Sequence, residues 1–451
     1  MKIYDALNMV TCKIPRKEAI APVLESAIEA ADPLRAIVHN LDIRENCLLA
    51  CGEKYPITAK TRLVTIALGK AAPAMLQGVS ICLGDLIFNG VCVTKHIEQA
   101  GRTVNGIKYF EGNHPVPGEG SLAGGRSIQS ALAGLTEQDI VLVLLSGGGS
   151  ALATLPVEGV SIADLQQLTG VLLQAGVTIT ELNTVRKHLD RIKGGGLLRM
   201  AAPAQVIALV LSDVVGNPLD VIASGPAYPD ESTFANALEI IDRIKRFGII
   251  PESILQHLQR GASGMIPETL KPGDALASSA RNAIIGSNID SCRAAVMKAR
   301  EFGFHAEIVT DRLVGEARDA GTYLASVARE SLIAQKPWML VFGGETTVTV
   351  RGNGQGGRNQ EVALAAVRGM DALEGRLLIT LATDGEDGPT NAAGAAVDGT
   401  TLERAKNIGL DQSKYLNNND AYTYFKKIGD LLMIGPTGTN VNDISFLFGF
   451  D

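Results

Sequence analysis

Two glycine-containing segments carry the groups best suited to bind an anion. Three successive glycines lie in Ser146-Gly147-Gly148-Gly149-Ser150, and such a run lets neighbouring backbone N–H groups converge on one anion. Gly69 and Lys70 follow an apolar run and open a helical stretch, where a lysine can meet an anionic group. These segments predict phosphate or carboxylate binding; the alternatives are a flexible turn for the glycines and a solvent-exposed Lys70.

A second basic segment, residues 182–197, reads LNTVRKHLDRIKGGGL. Its candidate anion ligands are the side chains of Arg186 and Lys193 and the backbone of Gly194 and Gly195, because arginine and lysine both bind phosphate oxygens. A solvated basic helix face would have the same composition. The sequence leaves these two interpretations open.

Carboxylates at strand ends are the candidates for a metal site. Asp213 directly follows the apolar run VIALVL, and Asp384 lies in the glycine loop of LATDGEDG. Carboxylate oxygens are the protein ligands that Mg²⁺ takes where phosphate is handled. Turn formation is the alternative for Asp384, since aspartate is common in glycine turns.

Three further side chains are candidates for a substrate pocket. Glu345 and Arg358 belong to GGETTVTVRGNGQGGRNQE (343–361), and His114 belongs to EGNHPVPGEGS (111–121). Arg358 is interpreted as a cation directed into a cleft. A lone histidine is more often structural than catalytic, so His114 is interpreted as a pocket wall.

Known nucleotide-binding motifs are weak or missing. Gly352, Gly354 and Gly357 match G-x-G-x-x-G, but that motif should follow a buried parallel strand. The preceding TTVTV (346–350) alternates polar and apolar residues, which indicates a half-exposed antiparallel edge strand instead. The chain contains neither the G-x-x-x-x-G-K-[ST] pattern nor the protein-kinase motifs.

Short apolar runs that alternate with helical stretches must position these residues. Continuous apolar runs occur at 62–70, 90–95, 139–149 and 205–216, with helical patterns at 71–83 and 161–176. Unalternating strands followed by helices predict a parallel sheet covered on both faces. In such sheets ligands bind beyond the carboxyl ends of the strands, where most of the candidate residues lie.

Glycine, proline and serine in residues 261–280 predict a domain boundary. We therefore expect an α/β domain with a parallel sheet over 1–265 and an α/β domain with a mixed sheet over 275–451. Beyond the boundary, NAIIGSN, a helix over 289–302 and FHAEIV (304–309) are interpreted as one βαβ unit, and a long helix is expected over 314–333.

Composition narrows the class of protein further. The 451 residues are 46% hydrophobic and 20% charged with a net charge of −7, and no basic block stands out, so neither nucleic acid nor a membrane is expected as partner. The six cysteines form no CxxC pair, which favours reduced thiols and a cytoplasmic protein. The oligomeric state is open, with a homodimer as the expectation.

Taken in order, several long motifs resemble those of the class II glycerate kinases, the glycerate 2-kinases with a MOFRL-type C-terminal domain. The motifs are LGKAAPAM, GNHPVP, LSGGGSAL, LNTVRKHLDRIKGGGL, LSDVVGNPLDVIASGP, GGETTVTVRGNGQGGRNQE, ATDGEDGPTNAAGA and GPTGTNVND. The resemblance extends from about Ala19 to Asp443.

The resemblance implies ATP-dependent phosphorylation of D-glycerate at its C2 hydroxyl, with Lys70 and Arg358 as the active-site pair. It also implies a Rossmann-like N-terminal domain and an active site in the cleft between the domains. With it, Ser146–Ser150 and Lys193–Gly195 become candidates for the ATP phosphates. Similarly, Asp213 and Asp384 become candidates for Mg²⁺, and His114, Arg186 and Glu345 for the substrate.

Two other classes of function remain as alternatives. Some members of the resembled family have been labelled hydroxypyruvate reductases, which would oxidise NAD(P)H. A non-catalytic sensor of glycerate or nucleotide would bind without turnover. The choice of the 2-phosphate over the 3-phosphate rests on the resemblance alone.

Overall fold

The computed structural model describes residues 3–97, 103–331, 333 and 335–451. It divides the chain into two compact units. We call Pro33–Ile285 the central unit, and Met1–Asp32 together with Gly286–Asp451 the terminal unit.

The helices are α1 (Ile3–Met9), α2 (Lys17–Glu29), α3 (Pro33–Asn40), α4 (Ala72–Leu83), α5 (Glu119–Ala131), α6 (Gly149–Leu152), α7 (Ile162–Gln174), α8 (Ile179–Lys187), α9 (Gly196–Ala201), α10 (Phe234–Ile244), α11 (Glu252–Ala262), α12 (Asn288–Glu301), α13 (Ala317–Glu330), α14 (Arg358–Gly369), α15 (Thr401–Asn407), α16 (Gln412–Asn417) and α17 (Ala421–Ile428). The strands are β1 (Leu41–Arg44), β2 (Cys47–Ala50), β3 (Glu53–Pro56), β4 (Leu63–Leu68), β5 (Ile87–Thr94), β6 (Ile107–Glu111), β7 (Ile140–Leu145), β8 (Gln205–Leu211), β9 (Ala280–Gly286), β10 (His305–Glu316), β11 (Trp338–Thr347), β12 (Arg376–Ala382), β13 (Gly394–Asp398), β14 (Leu431–Leu432) and β15 (Asp443–Gly449).

The main sheet of the central unit has the strand order β6-β5-β4-β7-β8-β9. The pairs from β6 through β8 are all parallel. The chain runs outward from β4 to β6, then returns to the other side of β4 with β7, which is the doubly wound order of a Rossmann-like fold. The predicted parallel sheet is therefore confirmed, and its topological switch point lies between β4 and β7.

Burial explains why the central strands lack alternation in the sequence. Every residue of β4 and of β7 is buried, because helices cover both faces of the sheet. A separate antiparallel sheet of β1, β2 and β3, which the sequence analysis did not predict, also belongs to this unit.

The sheet of the terminal unit is mixed, as predicted. Its order is β10-β11-β15-β12-β13-β14, with β10 and β11 parallel and the other pairs antiparallel. Successive residues of β11 enter opposite cores: Met339 and Val341 pack on the side of α2 and α12, whereas Leu340 and Phe342 pack on the side of α14 and α17. The two buried faces produce one continuously apolar strand.

The two units differ from the predicted domains 1–265 and 275–451 at both ends of the central unit. Residues 3–32 pack with the terminal unit, because Ile20 and Leu24 of α2 share a core with Phe446 and Phe448 of β15. The backbone N–H of Thr11 also donates to the carbonyl of Gly429 at 2.9 Å.

The change of unit on the C-terminal side falls at Ile285 rather than within 261–280. β9 lies next to β8 in the sheet of the central unit, while β10 lies in the sheet of the terminal unit. The interpretation of β9, α12 and β10 as one βαβ unit was therefore wrong. The half-buried edge strand β9 resembles any other short apolar strand in sequence, so its sheet partner could not be recognised.

The prediction for TTVTV (346–350) was also wrong. Its first two residues end β11, which lies inside the sheet and pairs in parallel with β10. Thr346 is buried and Thr347 is exposed, because the end of β11 is covered on one face only. The long helix expected over 314–333 begins only at Ala317, since β10 extends to Glu316.

Within the described ranges, no helix combines the length with the apolar character that a bilayer crossing requires. All six cysteines are free thiols.

A buried carboxylate connects the beginnings of β4 and β7. The side chain of Asp139 has no exposed surface and accepts hydrogen bonds from Nε and the backbone N–H of Arg62, both at 3.0 Å. The hydrogen bond from Arg62 is the largest cause that holds the pKa of Asp139 well below its ordinary value. The ionised carboxylate therefore stabilises the folded state.

Asp139→Asn is expected to lower the free energy of unfolding at pH 7 by about 2 kcal/mol, a moderate figure because Arg62 is one-third exposed. Since folding lowers this pKa, the contribution is present above the unfolded value of about 3.9 and is lost as the pH falls below it. Urea unfolding at pH 7 and at pH 3 measures whether the difference in free energy of unfolding between the variant and the wild type becomes smaller at the lower pH. Asp42→Asn, in the exposed pair with Arg44, is the control and should change little. A loss for Asp139→Asn that is equal at both pH values would contradict the assignment.

Candidate active site

The loops after β4 and β7 lie side by side at the switch point of the central sheet. Leu68 and Leu145, the last residues of these strands, are paired in register. The backbone N–H of Lys70 donates to the carbonyl of Gly147 at 2.9 Å, and that of Ala71 donates to Ser146 Oγ at 3.1 Å. The structure thus brings the two predicted anion-binding segments together.

The loop after β7 presents unused hydrogen-bond donors. Among the residues that the structure describes, none accepts a hydrogen bond from the backbone N–H groups of Gly147, Gly148, Gly149 or Ser150. Gly148 has φ = 83°, a left-handed conformation that favours glycine. Successive backbone donors in such a turn form a concave anion site, so the loop fits a phosphate group.

Three side chains that follow other strands of the same sheet surround this loop. A Cβ atom placed on Gly147 would collide with the carboxylate of Asp213. One placed on Gly148 would lie 3.4 Å from His114 Cδ2 and 3.6 Å from Lys70 Cε. The glycines are therefore needed for close approach, and Lys70, His114 and Asp213 lie at one site.

The charges around the loop favour an anion. Desolvation and the charges of Lys70, Lys95 and Arg186 lower the pKa of His114, so the imidazole is neutral at pH 7. Burial raises the pKa of Asp213, and the charge of Lys70 opposes that shift. Lys95 was missed by the sequence analysis, although its position directly after β5 was a usable signal.

The second glycine segment does not offer its backbone to a ligand. The N–H of Gly194 donates to Ser224 O at 3.0 Å, and that of Gly195 donates to Gly225 O at 2.8 Å. Lys193 is buried, with Nζ 2.5 Å from Asp190 Oδ2 and 3.1 Å from Ala153 O. We therefore leave Lys193, Gly194 and Gly195 out of the proposed phosphate site. Arg186 of the same segment stays a candidate for the substrate, because its charge acts on His114.

In the terminal unit, two carboxylates hold Arg358 at the start of α14. Asp443 binds it on one edge, with Oδ2 2.5 Å from Nε and Oδ1 3.2 Å from Nη2. Glu345 Oε1 lies 3.0 Å from Nη1. Burial alone would lower the pKa of Arg358, but the charges of Asp443 and Glu345 raise it above the ordinary value. The guanidinium is charged and fixed in orientation.

Asp443 was missed by the sequence analysis, and so was the function of Asp387. Asp387 accepts hydrogen bonds from the backbone N–H groups of Asn359 and Gln360, at 3.1 and 2.8 Å, and thereby caps the helix that begins with Arg358. Burial and the charge of Asp443 raise the pKa of Asp387 to about 7. The roles of both carboxylates depend on tertiary contacts, which no local sequence motif encodes.

The predicted metal ligands lie in different units. Asp213 belongs to the central unit, whereas Asp384 is half-buried in the terminal unit and accepts a hydrogen bond from the N–H of Glu386 at 3.2 Å. The part of the chain that the structure describes contains no group of three or more His, Cys, Asp or Glu side chains arranged to hold a metal ion.

The match to G-x-G-x-x-G at residues 352–357 is not a phosphate loop. The N–H groups of residues 351–355 all donate to protein acceptors, namely the side chains of Asn418, Asn419 and Asp420 and the carbonyl of Asn418. This segment thus has no row of free donors for a pyrophosphate.

Comparisons with known proteins cover nearly the whole chain. The model of a domain of unknown function (DUF4147) matches residues 19–259, and the MOFRL family model matches residues 338–443. A glycerate 2-kinase of Pyrococcus horikoshii is 43% identical over 93% of this chain and 94% of its own length. A D-glycerate 2-kinase of Thermotoga maritima is 43% identical over 95% of this chain and 97% of its own length.

The fold is similar to that of a solved structure as well. The crystal structure of a glycerate kinase from Thermotoga maritima matches with a TM-score of 0.83 and 42% identity. The match covers 95% of this chain and 97% of that chain.

Gly147→Ala should weaken binding of inorganic triphosphate by about tenfold or more, because the new methyl group displaces the carboxylate of Asp213 and shifts the loop. Calorimetric titration measures this affinity. Gly170→Ala is the matched control, since its Cβ would enter open space on α7 and should leave the affinity unchanged. Equal affinities for both variants would show that the anion binds elsewhere.

Proposed function

Because the chain belongs to the class II glycerate kinase family, we propose that it transfers the terminal phosphoryl group of ATP to the C2 hydroxyl of D-glycerate, giving 2-phosphoglycerate and ADP. The relatives and the solved structure that it resembles cover almost its full length, and those relatives are glycerate 2-kinases. The assignments of ATP, Mg²⁺ and individual residues are our own.

The row of free N–H groups from Gly147 to Ser150 is the observation that carries the nucleotide assignment. Four adjacent donors beside Lys70 suit a chain of phosphates better than the single carboxylate of a hydroxy acid. Ser146 supports the loop by accepting from Ala71 N–H. We assign the ATP phosphates to residues 146–150.

Phosphoryl transfer depends mainly on positioning and on positive charge near the moving oxygens. We assign Lys70 to the transferred phosphoryl group, and Arg358 to the glycerate carboxylate or to charge that develops in the transition state. Glu345 and Asp443 orient Arg358. Arg186 and the neutral His114 are assigned to the substrate side of the loop.

The residues present fit a magnesium ion. Mg²⁺ is commonly held by one or two carboxylates together with substrate phosphates, and the carboxylate of Asp213 packs directly against Gly147 of the phosphate loop. When bound, Mg²⁺ neutralises charge on the phosphates. We propose Asp213 as its ligand in the central unit, and Asp384 stays a prediction.

The reductase alternative gains no support from the G-x-G-x-x-G match, because the N–H groups of residues 351–355 donate to protein acceptors. Cytoplasmic location, which the free cysteines favour, and a homodimer both stay predictions.

Lys70→Ala and Arg358→Ala should each lower kcat by about 10²–10³ with D-glycerate and ATP, since each removes a preorganised cation. Steady-state kinetics with thermal unfolding separates this effect from misfolding. Lys245→Ala, in an exposed pair with Asp242, is the control and should keep full activity. Near-normal turnover of both Lys70→Ala and Arg358→Ala would contradict the assignments of these residues but not the proposed kinase activity.

The position of phosphorylation can be tested with a coupled assay. ATP, Mg²⁺ and D-glycerate are supplied with enolase but without phosphoglycerate mutase, so that only the 2-phosphate is consumed. We expect glycerate-dependent ADP release together with enolase product. ADP release without enolase product would indicate the 3-phosphate. NADH oxidation with hydroxypyruvate, in the absence of ADP release, would support the reductase.

A further inference from the structure

Helix α14 begins against a carboxylate that belongs to a distant loop. The position that caps this helix is Gly357, so no side chain at the cap can accept from the first N–H groups. Asp387 supplies the acceptors instead. Its Oδ1 lies 3.1 Å from the backbone nitrogen and 3.3 Å from Nδ2 of Asn359, and its Oδ2 lies 2.8 Å from the backbone nitrogen of Gln360. One carboxylate thus binds both residues that follow Arg358.

The glycine at the cap position makes room for this carboxylate. A Cβ atom on Gly357 would lie 2.2 Å from Cγ and 2.4 Å from Oδ1 of Asp387. The φ of Gly357 is −124°, an extended conformation that any residue adopts. Close approach, and not backbone freedom, therefore requires the glycine. The partial positive charge of a helix start favours a carboxylate at this place.

The loop that carries Asp387 is fixed by its own hydrogen bonds. The backbone N–H of Asp387 donates to Ala392 O at 2.8 Å, and its carbonyl accepts from Thr390 Oγ1 at 2.8 Å. Gln360 Nε2 donates to Thr390 Oγ1 at 2.7 Å, which adds a second contact between α14 and the loop. Asp387 is 1% exposed, so water has little access to these bonds. A shift of the helix start would break several buried hydrogen bonds at once.

The charges on this carboxylate come from the Arg358 cluster. Burial and the charge of Asp443 raise the pKa of Asp387 to about 7, and the charge of Asp387 in turn helps to raise the pKa of Arg358. A protonated carboxyl turns one of its oxygens into a donor, so it cannot accept from all three N–H groups. The attachment of the helix start is therefore complete only where Asp387 is ionised.

We propose that Asp387 is a positioning residue for Arg358, which it holds in place through the start of α14. The inference rests on the proposed function, because only that function gives Arg358 a part in phosphoryl transfer. Asp443 and Glu345 hold the guanidinium itself. Asp387 instead fixes the backbone from which that side chain extends, by way of Asn359 and Gln360.

The kinetic test compares two helix caps of the terminal unit. Asp387→Asn keeps the size of the side chain but replaces one acceptor by a donor, so it should lower kcat with D-glycerate by about ten- to hundredfold. The KM for ATP should stay within about twofold, because the phosphate loop is unchanged. Asp411→Asn, at the exposed cap of α16, is the matched control and should keep full activity. Unchanged kcat in Asp387→Asn would overturn the inference.

A double variant distinguishes positioning of Arg358 from a general loss of structure. If Asp387 acts through Arg358, Arg358→Ala/Asp387→Asn should turn over no more slowly than Arg358→Ala alone. Losses that multiply in the double variant would contradict the proposal. Gly357→Ala displaces the carboxylate without removing it and should lower kcat as Asp387→Asn does. This second variant keeps the test decisive if thermal unfolding shows that Asp387→Asn does not fold.

A spectroscopic measurement separates this inference from the proposed activity. In protein labelled with ¹⁵N-arginine, the Nε–H resonance of Arg358 is identified by its absence from Arg358→Ala. It should shift with pH around a midpoint of about 7 in the wild type and stay constant over that range in Asp387→Asn. The same shift in both proteins would overturn the positioning role. Wild-type protein without glycerate turnover would refute the proposed function, and this resonance would still show whether Asp387 controls the setting of Arg358.

Discussion

Four backbone N–H groups that find no acceptor among the described residues are the constraint on which the site depends. A buried or half-buried donor that lacks a partner is costly, so folded proteins rarely leave one, and here four occur in succession from Gly147 to Ser150. The strand order of the central sheet places them at its switch point, beside Lys70. An anion at this place would satisfy the donors, which is why we assign the nucleotide phosphates to them.

The two triple glycines show how far sequence reasoning reaches. Both are runs of three glycines that the sequence analysis interpreted as anion sites. Only the first presents backbone N–H groups that are not taken by a described acceptor. The N–H groups of Gly194 and Gly195 are taken by carbonyls about thirty residues later in the chain, at Ser224 and Gly225. A run of glycines can show that the backbone is closely approached. Whether a ligand or another part of the chain approaches it depends on the tertiary structure. The sequence therefore predicted a phosphate at both places, and the hydrogen bonds of Gly194 and Gly195 favour the first of them.

The same limit applies to the fold and to Arg358. Continuous apolar runs predicted the buried strands β4, β7 and β8, because a strand that is buried on both faces is apolar at nearly every position. No feature of the sequence shows that α2 belongs to the terminal unit, since an amphipathic helix packs equally well on any apolar sheet face. Similarly, Asp443 contacts Arg358 across 85 positions, and Asp387 caps the helix through Asn359 across 28 positions. The sequence pointed to Arg358 as a cation directed into a cleft, and the family resemblance made it a member of the expected active-site pair.

The arrangement around Arg358 also bears on which unit recognises anions. Asp443 and Glu345 present two carboxylates to one guanidinium, so Arg358 is not a free positive charge, although burial raises the pKa of Asp443. Three of the five N–H groups of Arg358 contact these carboxylates. We therefore expect the long-range attraction of an anionic substrate to come from Lys70, Lys95 and Arg186 of the central unit, whose charges act on His114. We assign orientation to Arg358 instead, because a guanidinium fixed on one edge presents its other edge in a defined direction, which suits a transition state better than a mobile ground state.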